Sequence, residues 1–311
     1  MSAPPPAAPP EVRAAAAAAG ERRWTVLELL RWTTAHFAEK GIESARLDAE
    51  LLLAHALGTT RMQLYVDFEK PVLADERGAF RELVRKRAAE RIPVSQLLGA
   101  KEFWSLSLAV NGDVLTPRPD TETLVQAALD RLPERERAFR IADIGTGSGA
   151  IALALAAERP NAHVVATDIS EAALKVARSN AESLRLNERV RLAQGSLFEP
   201  LAGPGAEPFD LVVSNPPYLA RAEAATLPPE LRHEPAEALF GGEDGLEVLR
   251  PLVAGATGVM AAGGHLLVEI DPRQADAVVA MCEDAGLCEI AVIRDLAGSA
   301  RVVAGRAAPP R

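Results

Sequence analysis

Asn215, Pro216, Pro217 and Tyr218 directly follow the apolar run Val212-Val213-Ser214. Two consecutive prolines bring no backbone N–H and cannot continue a sheet ladder, so a strand has to stop there. At its end Asn215 offers an amide oxygen that accepts a hydrogen from an incoming NH2 group. The carbonyls of Pro216 and Pro217 are free of any continuing ladder, so one of them accepts the second hydrogen, and Tyr218 supplies a flat face. Together the four residues make a clamp for a planar amide or amino group. Asn-Pro-Pro is also plain turn chemistry, so the choice between turn and clamp rests on what lies upstream.

Upstream lies Ile141-Ala142-Asp143-Ile144-Gly145-Thr146-Gly147-Ser148-Gly149-Ala150, which reads as strand, turn and helix. Glycines there permit positive φ and close approach of a ligand to the backbone, while the following helix presents free N–H groups. Gly145, Gly147 and Ala150 also satisfy the dinucleotide spacing, so the turn implies a nucleotide-like ligand without choosing one. Asp168 closes the next strand, about twenty residues on, where a carboxylate accepts both hydroxyls of a ribose. It also suits the N-terminus of a helix capped by Ser170. Asp143 has two roles open to it: holding the turn through backbone N–H groups, or facing the cationic end of a ligand.

The elements that must position these groups alternate. Strands are expected over 140–144, 163–168, 190–194, 209–214 and 265–270, with helices over 149–158, 171–185 and 273–285. That order implies a parallel, doubly wound α/β sheet. Two final strands, near 288–294 and 301–305, are joined by a short link and read as an antiparallel hairpin at or near the edge. In such a sheet the glycine turn, Asp168 and Asn215 all emerge at the carboxyl edge. Ahead of it, Trp24 to Arg91 shows only helical spacing, as in Val26, Leu29 and Leu30, and then Leu47, Leu51 and Leu52. An amphipathic helix from Asp75 to Glu90 is expected to expose Arg77, Arg81, Arg85, Lys86 and Arg87. Alternation from Trp104 through Leu106 and Leu108 to Val110 leads into Asn111-Gly112, a hairpin turn signal. The expected division is a disordered Ala/Pro tail over 1–20, a helical substrate-docking domain over 21–95, a β-hairpin connector over 96–120 and a catalytic domain over 121–311.

Composition removes other classes. The chain holds 34 Lys plus Arg against 43 Asp plus Glu, a net charge of -9. That argues against a sheath of phosphate contacts, hence against a stable nucleic acid complex. The helical region carries a net charge near +1 and the rest about -10. Cys282 and Cys288 have neither a second pair nor nearby histidines, so they read as reduced packing residues, with no disulfide or metal site. Residues 1–20 lack a basic n-region and an apolar core, unlike a secretory signal. The uncharged run Pro251 to Val268 is broken by Gly255, Gly258, Gly263, Gly264, Thr257 and His265, and reads as a helix, a turn and a strand rather than a membrane span. The expected location is the cytoplasm.

The glycine turn with the Asn215 clamp resembles a class I S-adenosylmethionine-dependent methyltransferase with a Rossmann-like sheet. Gly99–Trp104 (GAKEFW), Leu115–Glu122 (LTPRPDTE), Glu234–Gly245 (EPAEALFGGEDG) and Arg294–Arg301 (RDLAGSAR) are similar to the HemK family, the protein-(glutamine-N5) methyltransferases of peptide chain release factors. The similarity runs from about residue 25 to 306. It implies S-adenosylmethionine as cofactor, held by Asp143, Gly145, Thr146, Gly147, Gly149, Asp168, Ser196, Leu197 and Asn215. It implies a release factor as substrate, with Asn215, Pro216 and Tyr218 catalytic and Pro217, Arg118 and Glu122 beside the substrate. Arg118 and its neighbours fit the release factor enzymes better than relatives that methylate a ribosomal protein glutamine, and Asp120 or Thr121 can equally cap a helix. Two positions depart from the pattern. Ser196 stands where an acid is usual near the adenine amino group, and Asp271 where a glycine is expected.

Two rival chemistries fit parts of the pattern. Adenine N6 would suit the same clamp, but the acidic catalytic half offers no basic groove. A nicotinamide-dependent dehydrogenase would leave the Asn215 segment unexplained.

Overall fold

The computed structural model describes residues 23–203 and 205–308. The tail expected over residues 1–20 lies outside the described residues. The chain divides into two compact units, Met1–Leu98 and Gly99–Arg311.

In the first unit, α1 (Val26–Glu39), α2 (Ala45–Ala56), α3 (Arg61–Val66), α4 (Ala74–Arg85) and α5 (Val94–Leu98) follow in sequence. The α1 start is set by a capping box: the Glu28 N–H donates to Thr25 Oγ1 at 3.3 Å, and the Thr25 N–H donates to Glu28 Oε2 at 3.0 Å. Such reciprocal pairing satisfies two donors that a helix end otherwise leaves open. Leu30, Phe37, Leu52, Leu53, Leu64 and Phe80 form the core.

The helix expected from Asp75 to Glu90 changes character at Arg85, where a π turn covers Lys86–Glu90. A π turn makes the face lag, since each residue sweeps a smaller angle than in an α-helix. Arg87 is therefore buried, not exposed as its spacing suggested, and its Nε donates to Asp48 Oδ2 at 2.8 Å. Arg81 and Arg85 stay exposed.

The second unit opens with β1 (Ala100–Phe103) and β2 (Leu106–Ala109), an antiparallel hairpin. Its turn is Trp104-Ser105, with φ of 50° and 58°, not the expected Asn111-Gly112. A two-residue hairpin turn of this kind needs positive φ at both positions. Trp104 is held there from two sides: its N–H donates to Glu122 Oε1 at 3.0 Å and its indole Nε1 to Glu158 Oε1 at 2.9 Å. Asn111 instead closes a local turn, its Oδ1 accepting the Asp113 N–H at 2.9 Å.

There follow α6 (Glu122–Arg131), β3 (Arg140–Ile144), α7 (Ala150–Glu158), β4 (His163–Asp168), α8 (Glu171–Ser183), β5 (Val190–Gln194) and β6 (Phe209–Ser214). Then come α9 (Ala236–Leu239), α10 (Leu249–Ala256), β7 (Met260–Glu269), α11 (Ala275–Asp284), β8 (Leu287–Arg294) and β9 (Ala300–Ala307). The seven strands lie in the order β5-β4-β3-β6-β7-β9-β8. The first five in sequence pair in parallel, and β9 is antiparallel to both neighbours. Alternate residues face opposite layers: Ile141, Leu211 and Val213 pack with α6 and α7, while Ala142, Ile144 and Val212 pack with α10 and α11. α7 is buried from Ala150 to Ala156 and so needs no polar face. The Pro251–Val268 run is shared between α10 and β7, and among the described residues no helix is long and apolar enough to cross a membrane.

Arg87→Ala leaves the buried Asp48 carboxylate without its cation and should cost about 3–5 kcal/mol. Arg85→Ala, on the exposed face, should leave the chemical denaturation midpoint unchanged. Equal midpoints for the two variants would contradict the burial of Arg87.

Candidate active site

Strand register gathers the site. Ile144 pairs with Thr167 on one side and with Ser214 on the other, and Ser214 pairs with Val268. One residue beyond each pairing, Gly145, Asp168, Asn215 and Glu269 form a row at the carboxyl ends of β3, β4, β6 and β7. The chain order reverses at β3, which is where ligands bind in open α/β sheets. A cavity of about 510 Å³ opens at this edge.

The glycine turn is tied to β4. The N–H groups of Gly145 and Thr146 both donate to the Thr167 carbonyl, at 2.8 and 2.9 Å. The Gly147 N–H donates to Asp168 Oδ2 at 2.8 Å, and the Ser170 N–H donates to Oδ1 at 2.9 Å. Each Asp168 oxygen therefore keeps a further lone pair, and the side chain lines the cavity. Gly149 caps α7 with a φ of 84°, and a Cβ there would lie 3.1 Å from Leu153 Cδ1, so it packs against its own helix outside the cavity wall.

Asp143 sits beneath the turn, 0% exposed. Its Oδ2 accepts from Thr146 Oγ1 at 2.6 Å and from the Ala152 N–H at 3.1 Å. It therefore ties the turn to the following helix through the Thr146 hydroxyl and the Ala152 N–H, not through the backbone N–H groups of the turn, which go to Thr167 and Asp168. Burial pushes its carboxyl up to about 7, against the pull of those two donors.

Asn215 lines the cavity, and its Nδ2 donates to Thr121 Oγ1 at 3.2 Å. Behind it lies Glu269, 1% exposed, near the side chains of Thr121 and Asn215, its Oε2 without a hydrogen-bond partner among the described residues. Burial pushes the Glu269 carboxyl up to about 7, opposed by the nearby Thr121, Arg301 and Asn215. Among the described residues no hydrogen bond reaches Asn215 Oδ1 or the carbonyls of Pro216 and Pro217. A Cβ on Gly241 would lie 2.3 Å from the Pro217 oxygen, and one on Gly245 2.3 Å from the Tyr218 oxygen. Only glycine lets the 241–245 turn support the clamp so closely. The Gln274 side-chain amide bridges the carbonyls of Tyr218 and Gly245, at 2.9 and 3.1 Å.

Of the residues picked out in the sequence, the cavity wall brings together Gly145, Thr146, Gly147, Asp168, Ser196, Leu197, Asn215, Pro216, Pro217 and Arg118. Asp143, Gly149, Tyr218 and Glu122 lie outside it. Glu122 is engaged with the Trp104 N–H, as above. Burial pushes the Tyr218 hydroxyl up to about 12, reinforced by nearby Glu269. Arg118 Nη2 donates to Glu234 Oε2 at 2.5 Å, and the Thr116 N–H donates to Glu234 Oε1 at 3.3 Å. This clasp joins the segment before α6 to the segment before α9. Asp271 has φ of −68°, so the backbone needs no glycine there, and its Oδ1 accepts the Arg273 N–H at 2.9 Å. Thr121, Glu234 and Glu269 were given no site role in the sequence reading; the place of Glu269 at the carboxyl end of β7 is the signal that marks it.

S-adenosylmethionine fits this wall. The glycine turn offers close backbone approach, Asp168 has lone pairs for ribose hydroxyls, and Ile169, 65% exposed, stands with Leu197 as an apolar flank.

Comparison with known proteins extends the description. Residues 28–99 match the family model described as the PrmC N-terminal domain, and residues 120–243 match the methyltransferase small domain. A release factor glutamine methyltransferase of Rhodopirellula baltica is 46% identical over 288 residues, covering 90% of this chain and 95% of that protein. One from Geobacter sulfurreducens is also 46% identical, covering 91% and 97%. Among solved structures, the Thermus thermophilus 16S rRNA N2 G1207 methyltransferase, in complex with AdoMet and guanosine, shares the fold. Its TM-score is 0.50 at 19% identity, covering 67% of this chain and 49% of that one.

The raised pKa of Asp143 has a stability signature. The folded chain holds this proton where the unfolded chain has lost it, so the stabilisation is complete below pH 4 and is lost as pH rises through about 7. Asp143→Asn should therefore make the fall in Tm between pH 5 and pH 8 shallower than in the parent protein. Parallel curves would show that Asp143 is ionised throughout.

Proposed function

The chain belongs to the release factor glutamine methyltransferase family, and from that premise we propose that it methylates the side-chain amide nitrogen of the glutamine in the Gly-Gly-Gln motif of release factors. The bound S-adenosylmethionine supplies a methyl group on a positively charged sulfur. Gly145, Thr146 and Gly147, whose backbone a ligand can approach closely, would hold it, Asp168 would accept from its ribose, and Ile169 and Leu197 would flank its adenine. Ser196, at the exposed rim, accepts from the adenine amino group in place of the usual acid.

The observation that carries this reading is the polarity of Asn215. Its NH2 donates to the Thr121 hydroxyl, which turns Oδ1 to accept a hydrogen. The Pro216 carbonyl is the second acceptor, because the Pro217 carbonyl lies against Gly241. An amide nitrogen is a poor nucleophile, its lone pair being delocalised into the carbonyl. Two acceptors on its hydrogens turn the lone pair toward the methyl group and hold it there, which supplies orientation and polarisation. As the N–C bond formed, the sulfonium S–CH3 bond would break to leave the neutral thioether S-adenosylhomocysteine, and the nitrogen would pass its extra proton to water. No strong base is required of the wall. Tyr218, outside the wall, supports the loop that aims the two acceptors.

The helical unit serves as a second grip on the protein substrate. A groove of about 700 Å³ on that unit is lined by Trp32, His36, Lys40, Arg77 and Arg81, with Trp32 52% exposed. An aromatic floor beside cations suits an acidic protein surface. Work on a translation factor places the enzyme in the cytoplasm.

Incubation with S-adenosylmethionine and a release factor should add the mass of one methylene to the Gly-Gly-Gln glutamine, located by peptide mass spectrometry. Asn215→Ala should lower kcat by about a hundredfold or more with cofactor affinity kept. Full activity in that variant, or methylation elsewhere, would contradict the clamp. Arg81→Glu should raise KM for whole release factor with little change in kcat; an unchanged KM would contradict the docking role.

A further inference from the structure

Asn215, Pro216 and Pro217 line the cavity, and neither proline carries an N–H. Between Asn215 and Tyr218 the backbone therefore offers no donor by which the fold could tie it down. Only its carbonyls and its two ends can be held. The near end is fixed at β6, where the Ser214 hydroxyl donates to the Ile144 carbonyl at 2.7 Å. The far end is fixed at Leu219, whose N–H donates to the Leu239 carbonyl at 3.0 Å and whose carbonyl accepts from the Gly241 N–H at 2.9 Å. Both proline rings lock φ, and each proline restricts the residue before it. With so few free torsions, the aim of the Pro216 carbonyl follows from how the next peptides are turned.

The Tyr218 carbonyl is held by a side chain from outside the cavity wall. Gln274 Nε2 donates to it at 2.9 Å and to the Gly245 carbonyl at 3.1 Å, while Gln274 Oε1 accepts the Asp271 N–H at 3.2 Å. With two acceptors at one end and a donor at the other, this amide can stand only one way. Asp271 also caps the short turn that presents Gln274, its Oδ1 accepting the Arg273 N–H. Two carbonyl oxygens converge on one nitrogen, and without it they would face each other unpaired. A Cβ on Gly245 would lie 2.9 Å from Nε2, so the glycine clears the space that the amide needs.

Resting on the function proposed above, we propose that Gln274 is a positioning residue for methyl transfer: its amide holds the Tyr218 carbonyl against the 241–245 turn and so keeps the Pro216 carbonyl aimed at the glutamine NH2. It touches neither cofactor nor substrate. Its influence passes through the backbone of Tyr218 and Pro217 to the acceptor. The cofactor wall at Gly145, Thr146, Gly147 and Asp168 belongs to β3 and β4 and is tied by its own bonds. Loss of the Gln274 donors therefore disturbs transfer and leaves cofactor binding intact.

The test measures kcat and KM on release factor, and Kd for S-adenosylmethionine, in the parent and three variants. Gln274→Met keeps the length and removes both donors; kcat should fall about tenfold, with KM for release factor and Kd for the cofactor unchanged. Gln274→Glu sets an acceptor-only group against two carbonyls and should fall further. Gln274→Lys returns N–H donors to both carbonyls and should recover most of the loss, a rescue that a merely space-filling glutamine would not show. The Lys and Glu variants decide the matter if Gln274→Met does not fold. Parent-like kcat in Gln274→Met, equal kcat in the Lys and Glu variants, or cofactor affinity lost in step with kcat would overturn this inference alone. A parent inactive on release factor would overturn the proposed function with it.

Discussion

The hydrogen bond from Asn215 Nδ2 to Thr121 Oγ1, at 3.2 Å, is the interaction on which the account of the site depends. An asparagine side chain is nearly symmetric in shape and opposite in polarity at its two ends. Whether it grips an NH2 group or repels it is decided by what its far end touches. Here the far end meets the Thr121 hydroxyl, an oxygen that can accept its hydrogen. The paired prolines then end β6 at this point, so the carbonyls that follow are not consumed by the sheet.

Three buried carboxylates stand behind three walls of the cavity. Asp143 lies under the glycine turn, Glu269 behind Asn215, and Glu234 behind Arg118. In each, burial raises the carboxyl pKa, and donors from the adjoining wall oppose the rise. The donors are thereby held in place, because moving one would leave an acid buried with less support. Precision at the cavity edge is thus set by groups that never touch the ligand. Gly241 and Gly245 add to it, letting a second segment press against the clamp backbone where any side chain would collide.

Most of this edge was legible in the sequence because local rules determine it. The glycine turn, Asp168 and the Asn215 segment follow strands of strong apolar pattern, so their exit on one edge follows from the doubly wound order. What escaped depends on tertiary context. The π turn at Lys86–Glu90 shifts a helical face by less than one residue's sweep, and spacing alone cannot show it, so Arg87 was placed outside. Trp104-Ser105 carries no glycine, and its positive φ is imposed by Glu122 and Glu158, so the better turn signal at Asn111-Gly112 misled. Glu122 matched a family segment but serves the hairpin. Glu269 was visible as a residue at a strand end, yet only the register of β7 on β6 brings it to Asn215.

The most direct measurement is a structure of the enzyme with S-adenosylhomocysteine and a Gly-Gly-Gln peptide. The account requires the glutamine nitrogen to lie about 2.7–3.2 Å from both Asn215 Oδ1 and the Pro216 carbonyl, with its free side toward the sulfur. A glutamine bound by its carbonyl to Asn215 Nδ2, or seated away from the strand end, would contradict it.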